Sequence, residues 1–116
     1  MRNNMKKDSI AFADLMKVDI RVGEVVEAKK VEVSNKLIEL TVNFGEDYGT
    51  VTIFTGMQKW YSPEDFQGKK FLFVANLEPK KMMDRESQGM ILSAVKDNEP
   101  VIIPVNQDLE NGTEIL

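Results

Sequence analysis

A chain of 116 residues with neither cysteine nor histidine is sized for one domain with a real core. It excludes thiol nucleophiles, disulfide frameworks, zinc sites of the Cys/His kind and histidine acid–base catalysis. The formal net charge of −4 hides a segregation: residues 97–116 hold Asp97, Glu99, Asp108, Glu110 and Glu114 without a lysine or arginine, so residues 1–96 carry 15 basic against 14 acidic side chains.

From the N-terminus, the charged start from Met1 to Asp8 has no apolar stretch behind it, and no apolar run approaches the ~20 residues of a membrane span. Neither a signal peptide nor a membrane segment is expected, and a cytoplasmic setting is. Ser9 stands before Ile10, Phe12, Leu15 and Met16, whose spacing predicts a short helix capped by Ser9 and ending near Lys17. Residues 18–33, "VDIRVGEVVEAKKVEV", alternate as a long strand. Gly23 followed by Val25-Val26 predicts a bulge where the alternation slips. Residues 36–45 and 49–56 form two more strands around the glycine-flanked turn 45–49, a meander. Residues 62–68 read as a short helix with a Ser62 cap, Pro63 in the first turn and Gly68 as a stop.

Residues 69–77 are a fourth strand and residues 88–95 a fifth. A turn at 96–100 then leads to a closing strand over 101–105, with Pro104 on an edge. The bent first strand and the helix between strands three and four describe an all-β chain. It is a five-stranded Greek-key barrel of the OB type with short helices and a C-terminal hairpin extension. On pattern alone another small barrel or sandwich stays open. Residues 1–9 are an N-terminal extension to a domain spanning 10–116.

Between the fourth and fifth strands, "NLEPKKMMDRESQGMIL" (76–92) sets Met82 and Met83 among Lys80, Lys81 and Arg85. It reads either as a surface turn whose methionines fold onto the core, or as a stretch meeting a ligand with flat faces and negative charge, of which nucleic acid is the commonest. The remaining carboxylates, lysines and hydroxyls have no catalytic spacing. No enzyme activity, cofactor or metal is expected.

Four segments in order and spacing, "FADLMKVDIRVGEV" (12–25), "SNKLIELTVNFG" (34–45), "TGMQKWYSPEDFQGKK" (55–70) and residues 76–92, resemble the tRNA-binding domain family. That family includes the C-terminal domain of bacterial methionyl-tRNA synthetase, free-standing dimeric tRNA-binding proteins and the CsaA secretion chaperone. The resemblance implies tRNA contacts at Lys36 of the "KL" pair and at Ser87 and Met90 of "S-x-G-M", with Lys80 and Lys81 beside them. Arg85 then meets a phosphate and Met82 or Met83 lies against a base or ribose. Asn76 and Gly89 are assigned to structure. Two departures from the family pattern, Asp84 for glycine and Val51 for arginine, lower the local charge or reshape a turn.

The implied function is non-catalytic, shape-directed tRNA binding by a free-standing auxiliary or an aminoacyl-tRNA synthetase-associated protein. The alternative is a CsaA-like chaperone that holds unfolded polypeptide. A homodimer is expected. Its interface lies along Val101, Ile102, Ile103, Val105, Leu109, Ile115 and Leu116, with the N-terminal helix around Phe12 and Leu15 across it.

Overall fold

The computed structural model describes residues 6–82 and 84–116. Met83 and residues 1–5 of the expected N-terminal extension lie outside them. In chain order the elements are helix α1 (Phe12–Leu15) and strands β1 (Ile20–Lys30), β2 (Ile38–Asn43), β3 (Thr50–Thr55), β4 (Lys70–Val74), β5 (Lys80–Met82), β6 (Arg85–Ser87), β7 (Met90–Ile91), β8 (Ala94–Lys96), β9 (Glu99–Val101) and β10 (Glu114–Ile115). A 3-10 turn, Pro63–Asp65, lies between β3 and β4. The main sheet runs β3-β2-β1-β4-β7, all antiparallel. Its ends approach one another as an OB-type five-stranded barrel.

The strand alternation decides what is inside. Ile38, Leu40 and Val42 of β2 and Phe71 and Phe73 of β4 are fully buried, and they meet Phe44 and Phe66 in the core. Phe44 lies edge-on to Phe73 with ring centroids 5.4 Å apart, an arrangement favoured by the ring quadrupoles. β1 joins the two halves: Ile20–Glu24 pair with β4 and Glu24–Lys30 with β2.

The expected bulge falls at Val26, where the register shifts between Val25 and Glu27. Gly23 has a different cause. A Cβ there would lie 2.6 Å from Val42 Cγ1, 2.8 Å from Phe44 and 2.9 Å from Phe73, so β1 passes too close to its neighbours to carry a side chain.

Three expectations are corrected. α1 is one turn long and begins after Ala11, with no side-chain cap from Ser9 and no buried residue; Phe12 is 73% exposed and Leu15 47%. The predicted helix over 62–68 shortens to the 3-10 turn, although Ser62 does open it, its N–H donating to Asp65 Oδ2 at 2.8 Å. The predicted strand over 88–95 breaks into β7 and β8, and β8 pairs with β9 through Val95 and Pro100. Asp97 (φ 52°) and Asn98 (φ 64°) make the left-handed turn between them, as short polar residues can. Pro104 therefore lies outside the strands and Pro100 takes the ribbon position.

The C-terminal segment fastens onto β1. Ile20 pairs with Ile115, and the Val22 carbonyl accepts the Gly112 N–H at 2.8 Å. Arg21 donates to Asp19 through Nε and Nη2 and to the Gly112 carbonyl through Nη1, while the Tyr48 hydroxyl donates to the same carboxylate. Arg21 hydrogen bonding, aided by Tyr48, holds the Asp19 carboxyl below its ordinary pKa against the opposing effect of burial. Asn76 does what a structural turn residue should: its Oδ1 accepts the Asp19 N–H and its Nδ2 donates to the Lys17 carbonyl.

Gly23→Ala is expected to destabilise the fold by about 1–3 kcal/mol, the usual cost of overpacking a filled core. Gly56→Ala, where an added Cβ meets nothing within 4 Å, is expected to stay within about 0.5 kcal/mol. Denaturant titration of both variants checks the contrast.

Candidate nucleic-acid interface

The stretch that sequence left as a charged connection is a β-hairpin. β5 and β6 pair Lys80 with Ser87, Lys81 with Glu86 and Met82 with Arg85. Because side chains alternate across a strand, Lys80, Met82, Arg85 and Ser87 share the face turned to the barrel. Lys81 and Glu86 share the other.

The base of the hairpin closes the barrel. The Phe54 N–H on the free edge of β3 donates to Ser87 Oγ at 3.0 Å, and the Gln88 N–H donates to the Thr52 carbonyl at 2.8 Å. Ser87, buried at this seam, thus supplies an acceptor where a backbone carbonyl would ordinarily stand. Gly89 follows at φ 131°, where a Cβ would lie 2.8 Å from the Val74 carbonyl oxygen. That is the close backbone approach expected of it.

Under the hairpin opens a groove of about 630 Å3, lined by Phe54, Asn76, Leu77, Glu78, Lys80, Met82, Ser87, Gly89 and Met90. Met90 is 48% exposed and Leu77 46%. The groove is therefore floored by accessible apolar side chains with Lys80 as its cation. Met90 belongs to this surface, not to the core.

Arg85 is already engaged. Its guanidinium donates through Nη1 to Glu39 Oε2 at 2.8 Å and through Nη2 to Oε1, and Cζ lies 5.2 Å from the centre of the Phe54 ring. Glu39 and Phe54 are themselves directly opposed across β2 and β3, so Arg85 lies over a cross-strand pair. Its hydrogen bonds hold the Glu39 carboxyl below its ordinary pKa. Burial opposes the shift, and the charges of Arg85 and Lys29 add to it.

Lys36 stands apart, on the β1–β2 loop. There it helps line a second open hollow, of about 780 Å3, with Lys30, Glu32, Ser34 and Gln58. Gln58 Nε2 donates to the Ser34 and Leu37 carbonyls at 3.0 and 2.8 Å and shapes that loop.

The structure therefore gathers Lys80, Met82, Ser87 and Met90 in one groove and sets Arg85 against Glu39 beside it. Lys36 lies on a separate loop, and Lys81 faces away opposite Glu86. Phe54, Leu77 and Glu39 were missed by sequence reasoning. Phe54 and Glu39 look like ordinary alternating strand residues, and only the hairpin folding over them gives them a role. Among the described residues no group of three or more histidines, cysteines or carboxylates is arranged to hold a metal ion.

Residues 20–114 match the family model described as "Putative tRNA binding domain". The chain is 43% identical over 110 residues, 95% of its length, to the methionine–tRNA ligase of Caldanaerobacter subterraneus subsp. tengcongensis, and covers 17% of that protein. It thus spans about a sixth of this curated relative. Among solved structures, the MetRS-related protein from Pyrococcus horikoshii superposes with a TM-score of 0.88 at 36% identity, over 95% of this chain and 100% of that one. The chaperone CsaA from Bacillus anthracis superposes with a TM-score of 0.83 at 30% identity, over 94% and 100%.

Ser87→Ala leaves the Phe54 N–H without its acceptor at a buried seam and is expected to cost about 1–3 kcal/mol. Met90→Ala is expected to cost less than the ~2 kcal/mol that marks a core methionine. Thermal melts of the two variants read the difference.

Proposed function

The chain belongs to the tRNA-binding domain family, and on that footing we propose that it binds tRNA without catalysing a reaction. The carrying observation is the groove under the β5–β6 hairpin, where Lys80 stands beside the accessible apolar surfaces of Met82, Leu77 and Met90. Such a groove, formed beside β3 by the connection between the fourth and fifth barrel strands, one of the loops that OB barrels use for oligonucleotides, offers phosphate attraction and a place for a base or ribose together. Lys36, with Lys29 and Lys30 nearby in sequence, extends the basic margin on the β1–β2 loop. Recognition runs through shape and backbone with little reading of base sequence.

The similarity to a segment of methionine–tRNA ligases favours an auxiliary that raises the tRNA concentration around an aminoacyl-tRNA synthetase in the cytoplasm. Polypeptide holding is the second reading. It is favoured by the apolar floor of the same groove and by the likeness to a protein named as a chaperone.

A homodimer fits the surface that the barrel leaves uncovered. Phe12 is 73% exposed and Leu116 95%, and Ile10, Leu15, Met16, Val101 and Ile103 are also exposed. Ile103 borders a small apolar hollow with Leu72, Leu92 and Ala94. Ile102 packs on its own core, so the proposed interface narrows to the N-terminal turn and the outward members of the C-terminal segment. Two-fold pairing would cover these residues and present two grooves to one long tRNA.

Affinity for unfractionated tRNA is expected to fall with salt on a log–log slope of about −0.9 per phosphate neutralised. Lys80→Glu is expected to weaken binding more than Lys81→Glu, which faces Glu86. No binding at low salt, or affinity independent of salt, sinks the tRNA reading, and salt-insensitive binding of unfolded polypeptide favours the chaperone.

Sedimentation equilibrium at micromolar concentration is expected to give twice the mass of one chain for the wild type. For Phe12→Asp, which puts a charge in the proposed interface, it is expected to give a single-chain mass. A monomeric wild type sinks the dimer.

A further inference from the structure

We propose that Arg85 is a stacking platform for an unpaired nucleobase of the bound RNA, and that Glu39 is the positioning residue that holds it flat. The inference rests on the tRNA-binding reading and specifies what one part of that site receives. Two hydrogen bonds to one carboxylate fix the plane of a guanidinium as well as its position. Here they run to Glu39, which is 6% exposed and cannot follow a ligand outward. Its Cζ lies over the Phe54 ring, 5.2 Å from the ring centre. The Arg85 side chain is nevertheless 49% exposed, so a planar cation held in place beside an aromatic ring keeps about half of its side chain open to solvent next to the groove. Nucleobases stack on such planes.

The same pairing argues against a phosphate anchor. The Arg85–Glu39 unit carries no net charge, so it adds little to the attraction of a polyanion. To grip a phosphate with the same nitrogens, Arg85 would have to leave Glu39, whose side chain is 8% exposed, and a carboxylate left that far from water without its partner is disfavoured. Stacking requires no rearrangement of the pair.

The two roles separate in a titration of unfractionated tRNA at several salt concentrations, with melting temperatures recorded to confirm that each variant is folded. Arg85→Ala removes the plane. Arg85→Lys keeps the charge without it. Glu39→Gln removes a negative charge from the interface while loosening the guanidinium. The platform predicts that both Arg85 variants bind about five- to a hundredfold more weakly, in line with the loss of one base–side-chain stack, with the salt slope of the wild type unchanged. It also predicts that Glu39→Gln binds more weakly. Lys80→Ala, the comparison, lowers the slope by about one.

Wild-type affinity in Arg85→Lys, a slope reduced in Arg85→Ala as in Lys80→Ala, or tighter binding by Glu39→Gln overturns the platform and leaves tRNA binding standing. A wild-type protein that binds no tRNA at low salt overturns the tRNA-binding reading and the platform together.

Discussion

A five-stranded barrel must bring its last strand back to the free edge of its third, and here that return is made by one side chain and one backbone bond. Phe54 donates to Ser87 Oγ and Gln88 to the Thr52 carbonyl, with Gly89 allowing the backbone to pass against Val74. Nearly everything concerning the groove depends on this seam. It fixes the base of the β5–β6 hairpin, and a hairpin with a fixed base presents a fixed face. Lys80 and Met82 stand over the groove and Arg85 over Glu39 because Ser87 is pinned and the strand period is two. The residue sequence reasoning assigned to ligand contact is therefore also the one that positions the rest.

Charge is managed locally. The acidic residues of 97–116 include Glu114 in β10, on the edge of β1 that is paired with the C-terminal segment, away from the hairpin. Around the groove the cations are unequal in what they can offer. Lys80 lines the groove, Lys81 is set opposite Glu86, and Arg85 is neutralised by Glu39. A protein with net charge −4 can attract a polyanion only through local groups of cations, and those on offer are Lys80 in the groove, Lys29 and Lys30 at the end of β1 and Lys36 on the β1–β2 loop.

Much of this was legible in the sequence. Alternation placed β1 to β4 within a few residues, because their inward positions are Val, Ile, Leu and Phe in regular order. Asn76 and Gly89 could be assigned to structure from their chemistry alone. What escaped was set by distance. Nothing in "PKKMMDRES" alternates apolar with polar, since neither face of the hairpin is core, so its strands have no hydrophobic signature. Glu39 and Arg85 lie 46 positions apart in the chain, and each reads as a solvated charge until the fold stacks one over the other. The bulge was legible where the alternation slips at Val25-Val26, whereas the crowding that Gly23 answers to is visible only once the strands are packed.

The pairing of β10 with the start of β1 has a kinetic side. Ile20 finds Ile115, and Val22 finds Gly112 and Thr113, across nearly the whole chain, while the meander of β1 to β3 needs only short closures. Loop-closure entropy makes such distant contacts slow to form. The meander can therefore assemble early with one edge of β1 still bare, and that bare edge is the point at which a partly folded chain is open to pairing with another. The Arg21 cluster at that edge, binding Asp19, Tyr48 and the Gly112 carbonyl, fastens the last segment to arrive and closes the period of exposure.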